Sequence, residues 1–218
     1  MATEKQYETL VDTFTNGAII REYGSTHLIS FCPLTQIDKV KVSIVKLGTN
    51  GKDCLDFFAD LSMFRRFCDE IDNGDALKRL MSHKDAKYPD AYKWVSGKDG
   101  EKKLNIGMGK KGVLFQIIIG KNQKMTPISI SALKELSFRF KLVTGLVPVT
   151  PNTYYEKLVG AFYKGEAARQ QSFSHTTSKQ LKNDEPMQSA SFLEDKTPAS
   201  NFENATDTVS TIDELPWS

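Results

Sequence analysis

The sequence has few of the features that mark exported, membrane-spanning or zinc-binding proteins. Its 218 residues include three cysteines, Cys32, Cys54 and Cys68, and none belongs to a C-x-x-C pair. Neither a disulfide framework nor a zinc site is therefore indicated. No segment approaches the roughly 18 apolar residues that span a bilayer, and Met1 to Tyr7 lack the basic patch and apolar run of an export signal. We expect a soluble, cytoplasmic protein that does not enter membranes.

Signatures of cofactor binding and of nucleophilic catalysis are also missing. The three histidines, His27, His83 and His175, are far apart in the sequence and none is paired with a plausible nucleophile. Neither a Walker phosphate-binding loop nor a GxGxxG motif occurs. We therefore expect no cofactor, no metal ion and no catalytic residue, and a protein that acts by binding.

The charged residues that are present divide the chain into two parts. Residues 183–218 hold one lysine and eight acidic residues, a net charge of −7, whereas residues 1–182 carry a net charge of +9. From about Gln170 onward, polar and acidic residues dominate and the few apolar residues follow no period. We predict a folded core at 1–169 and a disordered acidic tail at 170–218. A cationic core suggests a polyanionic ligand, with which the acidic tail could compete.

Within the core, two similar units each consist of short strands followed by a helix. The strands, rich in β-branched and aromatic residues, are predicted at 17–23, 27–31, 39–47 and 54–59, then at 92–95, 102–108, 113–119 and 124–128. Each set precedes apolar residues at helical spacing, which are Leu61, Phe64, Cys68 and Ile71, then Leu133, Leu136, Phe140 and Val143. Further helices are predicted at 4–14 and 153–169. The expected fold class is α+β, built from tandem antiparallel sheet-plus-helix units.

A Gly-x-x-Gly turn lies inside a hairpin in both units, at 48–51 and at 109–112, and an 11-residue insertion would align the two units as a duplication. This order of elements resembles the Whirly-type fold of single-stranded DNA-binding proteins over roughly residues 15–145. The resemblance implies two four-stranded sheets braced by helices. A five-stranded OB barrel is an alternative, because its strand count overlaps with this one.

The last residues form a motif of their own, Asp213-Glu214-Leu215-Pro216-Trp217 followed by Ser218. This motif resembles the C-terminal tip of bacterial single-stranded DNA-binding proteins, which carries acids, an aliphatic residue, proline and a terminal aromatic. The resemblance implies a partner-binding tip that recruits replication or repair proteins. Acids suit a basic rim on the partner, and Trp217 suits an apolar pocket. Here tryptophan replaces the usual phenylalanine, and Ser218 moves the carboxylate one residue beyond the ring.

Basic residues interleaved with aromatic residues form a second signal. Single strands are bound by cationic grooves that follow phosphates and by rings on which bases stack. The candidate DNA-binding residues are Lys93, Trp94, Lys102, Lys103, Lys110, Lys111, Lys121, Lys124, Arg139 and Lys141. The 109–112 turn also has the Gly-x-x-Gly pattern of KH domains, but its flanking segments read as strands rather than helices.

One enzymatic alternative is a metal-dependent nuclease. Pro89-Asp90 and Glu101-Lys102-Lys103 match the loose PD-(D/E)xK pattern, in which Asp90 and Glu101 would hold Mg²⁺ and Lys103 would assist the attacking water. The Asp99-Gly100 turn offers a simpler account of Glu101 as a solvated charge beside a hairpin.

These observations favour a largely sequence-independent single-stranded DNA-binding protein of replication, recombination or repair. Its partners would be single-stranded DNA and the proteins that bind its tip. The sequence leaves open the oligomeric state, a homo-oligomer included, and the choice between DNA and RNA. A phage or plasmid replication protein would suit this organisation, although no residue specifies the host.

Overall fold

A computed structural model describes residues 4–84, 90–97 and 100–180, with side chains described from residue 10 to residue 169 within these ranges. The chain is an α+β protein with two antiparallel four-stranded sheets. The helices are α1 (Glu4–Thr15), α2 (Leu61–Asp72), α3 (Asp75–Ser82), α4 (Ile130–Val143) and α5 (Tyr154–Gln180). The strands are β1 (Ile20–Tyr23), β2 (His27–Leu34), β3 (Lys39–Lys46), β4 (Cys54–Asp60), β5 (Tyr92–Ser96), β6 (Lys102–Gly109), β7 (Gly112–Ile119) and β8 (Asn122–Ile128).

Each sheet is a meander in which consecutive strands pair. The first sheet has the order β1-β2-β3-β4 and the second β5-β6-β7-β8. Alternation along each strand places one row of apolar side chains on the inner face. In the first sheet Ile20, Phe31, Val42 and Phe57 lie side by side across the four strands. All eight strands predicted from the sequence are present, with ends shifted by up to three residues.

The inner faces of the two sheets meet around α2 and α4. Phe31 of the first sheet contacts Phe115 of the second at 5.3 Å between ring centroids. Phe64 of α2 contacts Phe31, Trp94 and Phe140 at centroid distances of 6.1, 6.2 and 5.0 Å. The predicted helix faces, Phe64 and Cys68 in α2 and Leu133 and Phe140 in α4, are fully or almost fully buried here. One core therefore joins both units.

Two helical features differ from the sequence-based prediction. The chain forms a separate helix α3 between the two units, which the sequence did not predict and where Ala76 and Leu80 are buried. Helix α5 continues to Gln180, beyond the core boundary predicted at Arg169. Propagating an existing helix costs far less than starting one, so a polar stretch can extend it. The remainder of the predicted tail, 181–218, and its tip lie outside the described residues.

No helix in the described part of the chain is long and apolar enough to cross a membrane.

The two helices of the core begin differently. The N-cap residue of α2 is Asp60, whose side chain makes no capping hydrogen bond and instead pairs with Lys39. Helix α4 has a side-chain cap, because the Ser129 Oγ accepts a hydrogen bond from the Ala132 N–H at 3.0 Å.

Helices α1 and α5 pack closely where Gly165 faces the end of α1. A Cβ atom built at Gly165 would lie 1.8 Å from the carbonyl oxygen of Thr15, whereas one at Gly160, on the same helix, would have no neighbour within 4 Å. We expect Gly165→Ala to destabilise the protein by about 2 kcal/mol or more, because the backbones must separate. Gly160→Ala should instead be neutral or stabilise by up to about 1 kcal/mol, since alanine favours helix. The melting temperatures of both variants, measured by thermal unfolding, test this prediction. Equal melting temperatures would contradict the close packing of α1 against α5.

Candidate nucleic-acid interface

The outer face of the second sheet combines lysines, amides and exposed aliphatic side chains. Strand alternation and register place on this face Lys93, Val95, Lys103, Asn105, Leu114, Gln116, Ile118, Gln123 and Met125. Val95 is 56% exposed and Met125 is 41% exposed. Apolar side chains left this open on a sheet face are available to contact a ligand. We call this surface the outer face of the second sheet.

A chain of amides crosses this face. The Asn105 Nδ2 donates a hydrogen bond to the Gln116 Oε1 at 3.1 Å, and the Gln116 Nε2 donates one to the Gln123 Oε1 at 3.0 Å. Gln116 is buried, and both the oxygen and the nitrogen of its amide group are hydrogen-bonded. Gln123, the last residue in this row of amides, is exposed. The two end members of the row, Asn105 and Gln123, keep amide atoms that the row does not use, and these atoms can meet the polar edges of unpaired bases.

The unpaired lysines lie at the two ends of the second sheet. Antiparallel pairing brings Lys102 and Lys103 together with Lys121, which sits in the β7–β8 turn. Lys110 and Lys111 form the β6–β7 turn at the opposite end of the sheet. Seven residues separate Lys103 from Lys110, which at roughly 3.3 Å per residue places the two ends about 23 Å apart. None of these five side chains forms an ion pair with a described carboxylate. Their charges are therefore available to an external anion.

The 109–112 turn requires glycine at position 112. Gly112 has φ +133°, and a Cβ atom there would lie 2.2 Å from the Ile128 carbonyl oxygen. Gly109 lacks such a close neighbour, since its nearest contact would be 3.4 Å. The turn therefore holds Lys110 and Lys111 close to the chain segment that starts α4.

Positive charge is concentrated in the second sheet. Residues 90–129 contain eight lysines and three acidic residues, whereas residues 20–60, which form the first sheet, contain five basic and five acidic residues. Of the net charge of +9 in residues 1–182, the second-sheet segment therefore contributes +5 and the first-sheet segment nothing. A phosphate backbone would be attracted to the second sheet in preference to the first.

Three predicted contacts are instead used inside the protein. Lys124 is on the inner side of β8 and pairs with Asp53 at 2.5 Å, with a side chain only 12% exposed. Arg139 pairs with Glu135 at 2.6 Å and donates a hydrogen bond to the Ile19 carbonyl oxygen at 3.1 Å. These cations link elements that are distant in sequence, so we assign them to the structure and not to the interface.

Lys141 is the third of these internal cations. Its ammonium lies 2.6 Å from Asp69 and 2.7 Å from Asp72, which joins α4 to α2. Burial works to lower the pKa of Lys141, but the hydrogen bonds to both carboxylates outweigh it and raise the pKa. The charge is therefore fixed in the fold and already neutralised.

Trp94 lies in the core and not on the surface. Its side chain is 8% exposed and meets Phe67 edge-to-face at 5.5 Å. Strand alternation puts Trp94 on the inner face between two outward residues, Lys93 and Val95. The predicted stacking of a base on this ring is therefore not possible, because the faces of the ring are buried.

The edge of Trp94 nevertheless lines a shallow pocket beside β5. The pocket has a volume of about 290 Å³, and its lining includes Phe67 and Tyr92. Three cations surround it, namely Lys93, Arg66 and Arg79. The Arg79 guanidinium lies 4.5 Å from the centroid of the Tyr92 ring, and the Tyr92 hydroxyl donates a hydrogen bond to Glu70 at 2.7 Å. Two of these cations already have carboxylate partners, since Arg66 pairs with Glu70 at 3.4 Å and Lys93 with Asp90 at 3.9 Å. The pocket therefore presents aromatic edges beside a mixed rim of cations and carboxylates.

Arg66 and Arg79 were not among the sequence-based candidates. Both belong to adjacent basic pairs, Arg65-Arg66 on α2 and Lys78-Arg79 on α3. Basic pairs on amphipathic helices are usually solvated, and the sequence does not show that these helices border β5. Only the packing of α2 and α3 brings the two arginines to Lys93.

The carboxylates of the nuclease alternative are not brought together. Asp90 precedes β5 at the end where Tyr92 pairs with Ile106, whereas Glu101 precedes β6 at the other end of the hairpin. They are roughly 20 Å apart along the strands, while Mg²⁺ binds its ligands at about 2.1 Å. Asp90 instead contacts His83 at 3.2 Å. Within 4–84, 90–97 and 100–180 no group of three or more His, Cys, Asp or Glu side chains could hold a metal ion.

The cysteines have the properties of packing residues. Burial and a hydrogen bond to Asp56 raise the pKa of the Cys54 thiol to about 11, and burial also raises the pKa of Cys32 and Cys68. All three thiols are therefore protonated at neutral pH, unlike the low-pKa thiolate of a cysteine nucleophile.

No protein-family model matches the sequence, and no curated protein is similar to it. The chemistry of the surface is therefore the basis for a functional assignment. Lysines at both ends of a partly apolar, amide-bearing sheet face can neutralise phosphates and contact unpaired bases.

Proposed function

We propose that the protein binds single-stranded DNA without strong sequence preference, on the outer face of the second sheet. The observation that carries this proposal is the set of five lysines at the ends of that sheet, none of which pairs with a described carboxylate. Cations that are exposed and unpaired attract a polyanion at little cost, because no internal ion pair has to break. The two-sheet architecture supports a finer proposal, a Whirly-like core.

Binding combines charge neutralisation with contacts to bases. Lys102, Lys103 and Lys121 hold phosphates at one end of the sheet, and Lys110 and Lys111 hold them at the other. Between these ends, Lys93 and the amide chain face the strand, and Val95 and Met125 offer apolar contact to bases. Bases in a duplex are stacked and paired, so these contacts favour single strands. The contacts are largely independent of base identity, which accounts for weak sequence preference.

The acidic segment supplies the second part of the proposed function. Residues 183–218 carry a net charge of −7, which can occupy the lysine ends when DNA is absent. The motif Asp213 to Trp217 then recruits replication or repair proteins to the bound strand. In this proposal the core binds DNA and the tip binds partner proteins.

Fluorescence anisotropy with single- and double-stranded oligonucleotides of about 20 nucleotides, measured over a salt series, tests the proposal. We expect preference for the single strand and a slope of log affinity against log salt near −4, because about six lysine contacts contribute roughly 0.7 each. Equal affinity for both forms, or a slope near zero, would reject the proposal.

The nuclease alternative makes a separate prediction. Incubation of labelled DNA with Mg²⁺ or Mn²⁺ should leave it intact, because Asp90 and Glu101 lie at opposite ends of a hairpin. Asp90→Ala and Glu101→Ala should each bind DNA at least as tightly as the unsubstituted protein, because each removes a negative charge and Asp90→Ala also frees Lys93 from its ion pair at 3.9 Å. Cleavage that either substitution abolishes would instead establish a nuclease.

A further inference from the structure

Three aromatic side chains form an exposed cluster between α4 and α5. Phe138 meets Tyr155 at 5.2 Å between ring centroids, and Tyr155 meets Tyr154 at 5.5 Å, both edge-to-face. Tyr154 is 37% exposed and Tyr155 is 42% exposed. The described side chains on the outer face of the second sheet include no aromatic ring. We call Phe138, Tyr154 and Tyr155 the ring cluster.

The ring cluster is held in place by the start of α5. The Asn152 N–H donates a hydrogen bond to the Glu156 carboxylate at 2.6 Å, and the Thr153 hydroxyl donates one to the Thr150 carbonyl oxygen at 2.6 Å. Contact between the rings further restricts their rotamers. A ligand that stacks on them therefore costs little side-chain entropy.

The charges around the ring cluster favour an anionic ligand. Lys134 precedes Phe138 by one helical turn, Lys157 follows Tyr154 by three residues, and both are exposed and without an ion pair to a described carboxylate. The neighbouring carboxylates already have partners, since Glu135 pairs with Arg139 and Glu156 accepts the Asn152 N–H. The Asn152 N–H is neutral and leaves the charge of Glu156 in place, so Lys134, Arg139 and Lys157 against Glu135 and Glu156 give this surface a net charge of +1.

The ring cluster is also continuous with the proposed DNA path. Helix α4 begins beside the 109–112 turn, because the Ile128 carbonyl oxygen lies against Gly112. Ser131, Lys134 and Phe138 then fall on successive turns of the part of α4 that faces solvent. Ser131 and Phe138 are about 10 Å apart at 1.5 Å per residue. A strand leaving Lys110 and Lys111 can reach the rings by passing Lys134.

We infer that the ring cluster is a base-stacking platform, a second contact region that extends the single-stranded DNA path from the 109–112 turn along α4 to the start of α5. The inference rests on the proposed function and adds to it the aromatic contacts that the outer face lacks. One or two unpaired bases stack on Tyr154 and Tyr155, while Lys134 and Lys157 contact the flanking phosphates. A single strand fits this surface better than a protein partner does, because the lysines continue from the sheet to the rings.

Double substitution of the platform provides the test. Tyr154→Leu with Tyr155→Leu should lower affinity for an oligothymidine of about 20 nucleotides at least about fivefold, the lower limit for losing one stacked base. The salt slope should stay unchanged, because no cation is removed. The Tyr154→Phe, Tyr155→Phe variant keeps both rings and should bind as the unsubstituted protein does. Tyr23→Leu, at a tyrosine 70% exposed on the first sheet, is the matched control and should have no effect.

An abasic oligonucleotide of the same length separates stacking from charge. The leucine variant and the unsubstituted protein should bind it equally, since it offers phosphates and no bases. Unchanged affinity of the leucine variant for oligothymidine, in a protein that does bind single strands, would overturn the platform and leave the proposed function standing. Absence of any single-strand binding would overturn both. A leucine variant of halved molecular mass in gel filtration would show that the rings bind a second copy, and would overturn the platform as well.

Discussion

Replacing the unpaired lysines of the second sheet should weaken single-stranded DNA binding more than any other change in the core. Two double variants remove lysines from the two ends of the second sheet. One combines Lys103→Gln with Lys121→Gln, and the other combines Lys110→Gln with Lys111→Gln. Each lost phosphate contact removes roughly 0.7 from the salt slope. Each double variant should therefore bind about 25-fold more weakly at 0.1 M salt, and the quadruple variant several hundredfold. The difference should vanish toward 1 M salt, because counterions released into 1 M salt gain almost no entropy of dilution.

A control of equal charge is available outside the second sheet. Arg21→Gln with Lys164→Gln also removes two exposed positive charges that form no ion pair with a described carboxylate, one from the first sheet and one from α5. We expect this variant to bind within about twofold of the unsubstituted protein. Anisotropy titrations at three salt concentrations compare all four variants. Equal losses in the control and the two test variants would mean that net charge alone attracts DNA, and the outer face of the second sheet would lose its special role.

Loss of Trp217 should have the second large effect, on partner proteins rather than on DNA. Buried aromatic anchors typically contribute about 2 kcal/mol or more to an interface, which corresponds to roughly thirtyfold in affinity. Trp217→Ala should therefore reproduce most of the loss caused by deleting residues 213–218. Trp217→Phe should retain binding, because it restores the ring of the family that the tip resembles.

Phe202→Ala provides a control within the same acidic segment, because it removes a ring without touching the tip. Pull-downs from the native host, followed by titration of each recovered protein, measure the effect. Single-stranded DNA affinity should be equal in all these variants. Recovery of the same partners with and without residues 213–218 would show that the tip is only an acidic ending.

The arrangement of strands and helices was predictable because each element carries its own periodic signal. Val40, Val42 and Ile44 alternate along β3, and Phe64, Cys68 and Ile71 recur at helical spacing along α2. Both periods arise from backbone geometry, which neighbours in sequence already determine. Helix α3 was missed because its eight residues are too few to establish a period, and only packing against the core makes it stable.

The candidate interface was predictable only in part, because residues far away in the sequence decide whether a lysine is ion-paired or free to bind a ligand. Lys110, Lys111 and Lys121 lie in turns, where exposure follows from turn chemistry. Lys124 and Lys141 look the same in the sequence, yet their carboxylate partners lie 71 and 69 to 72 residues away. No local pattern reports such a pairing.

The sequence by itself determined the charge division, the positions of the turns, the strand and helix periods and the motif at 213–217. The tertiary structure alone decided which of these groups face a ligand. Alternation shows that Trp94 and Lys93 point to opposite sides of β5, but only the packing of α2 against that strand buries Trp94 and adds Arg66 and Arg79 to Lys93. The physical reason is that burial and ion pairing are properties of surfaces brought together by folding, whereas periodicity is a property of the chain.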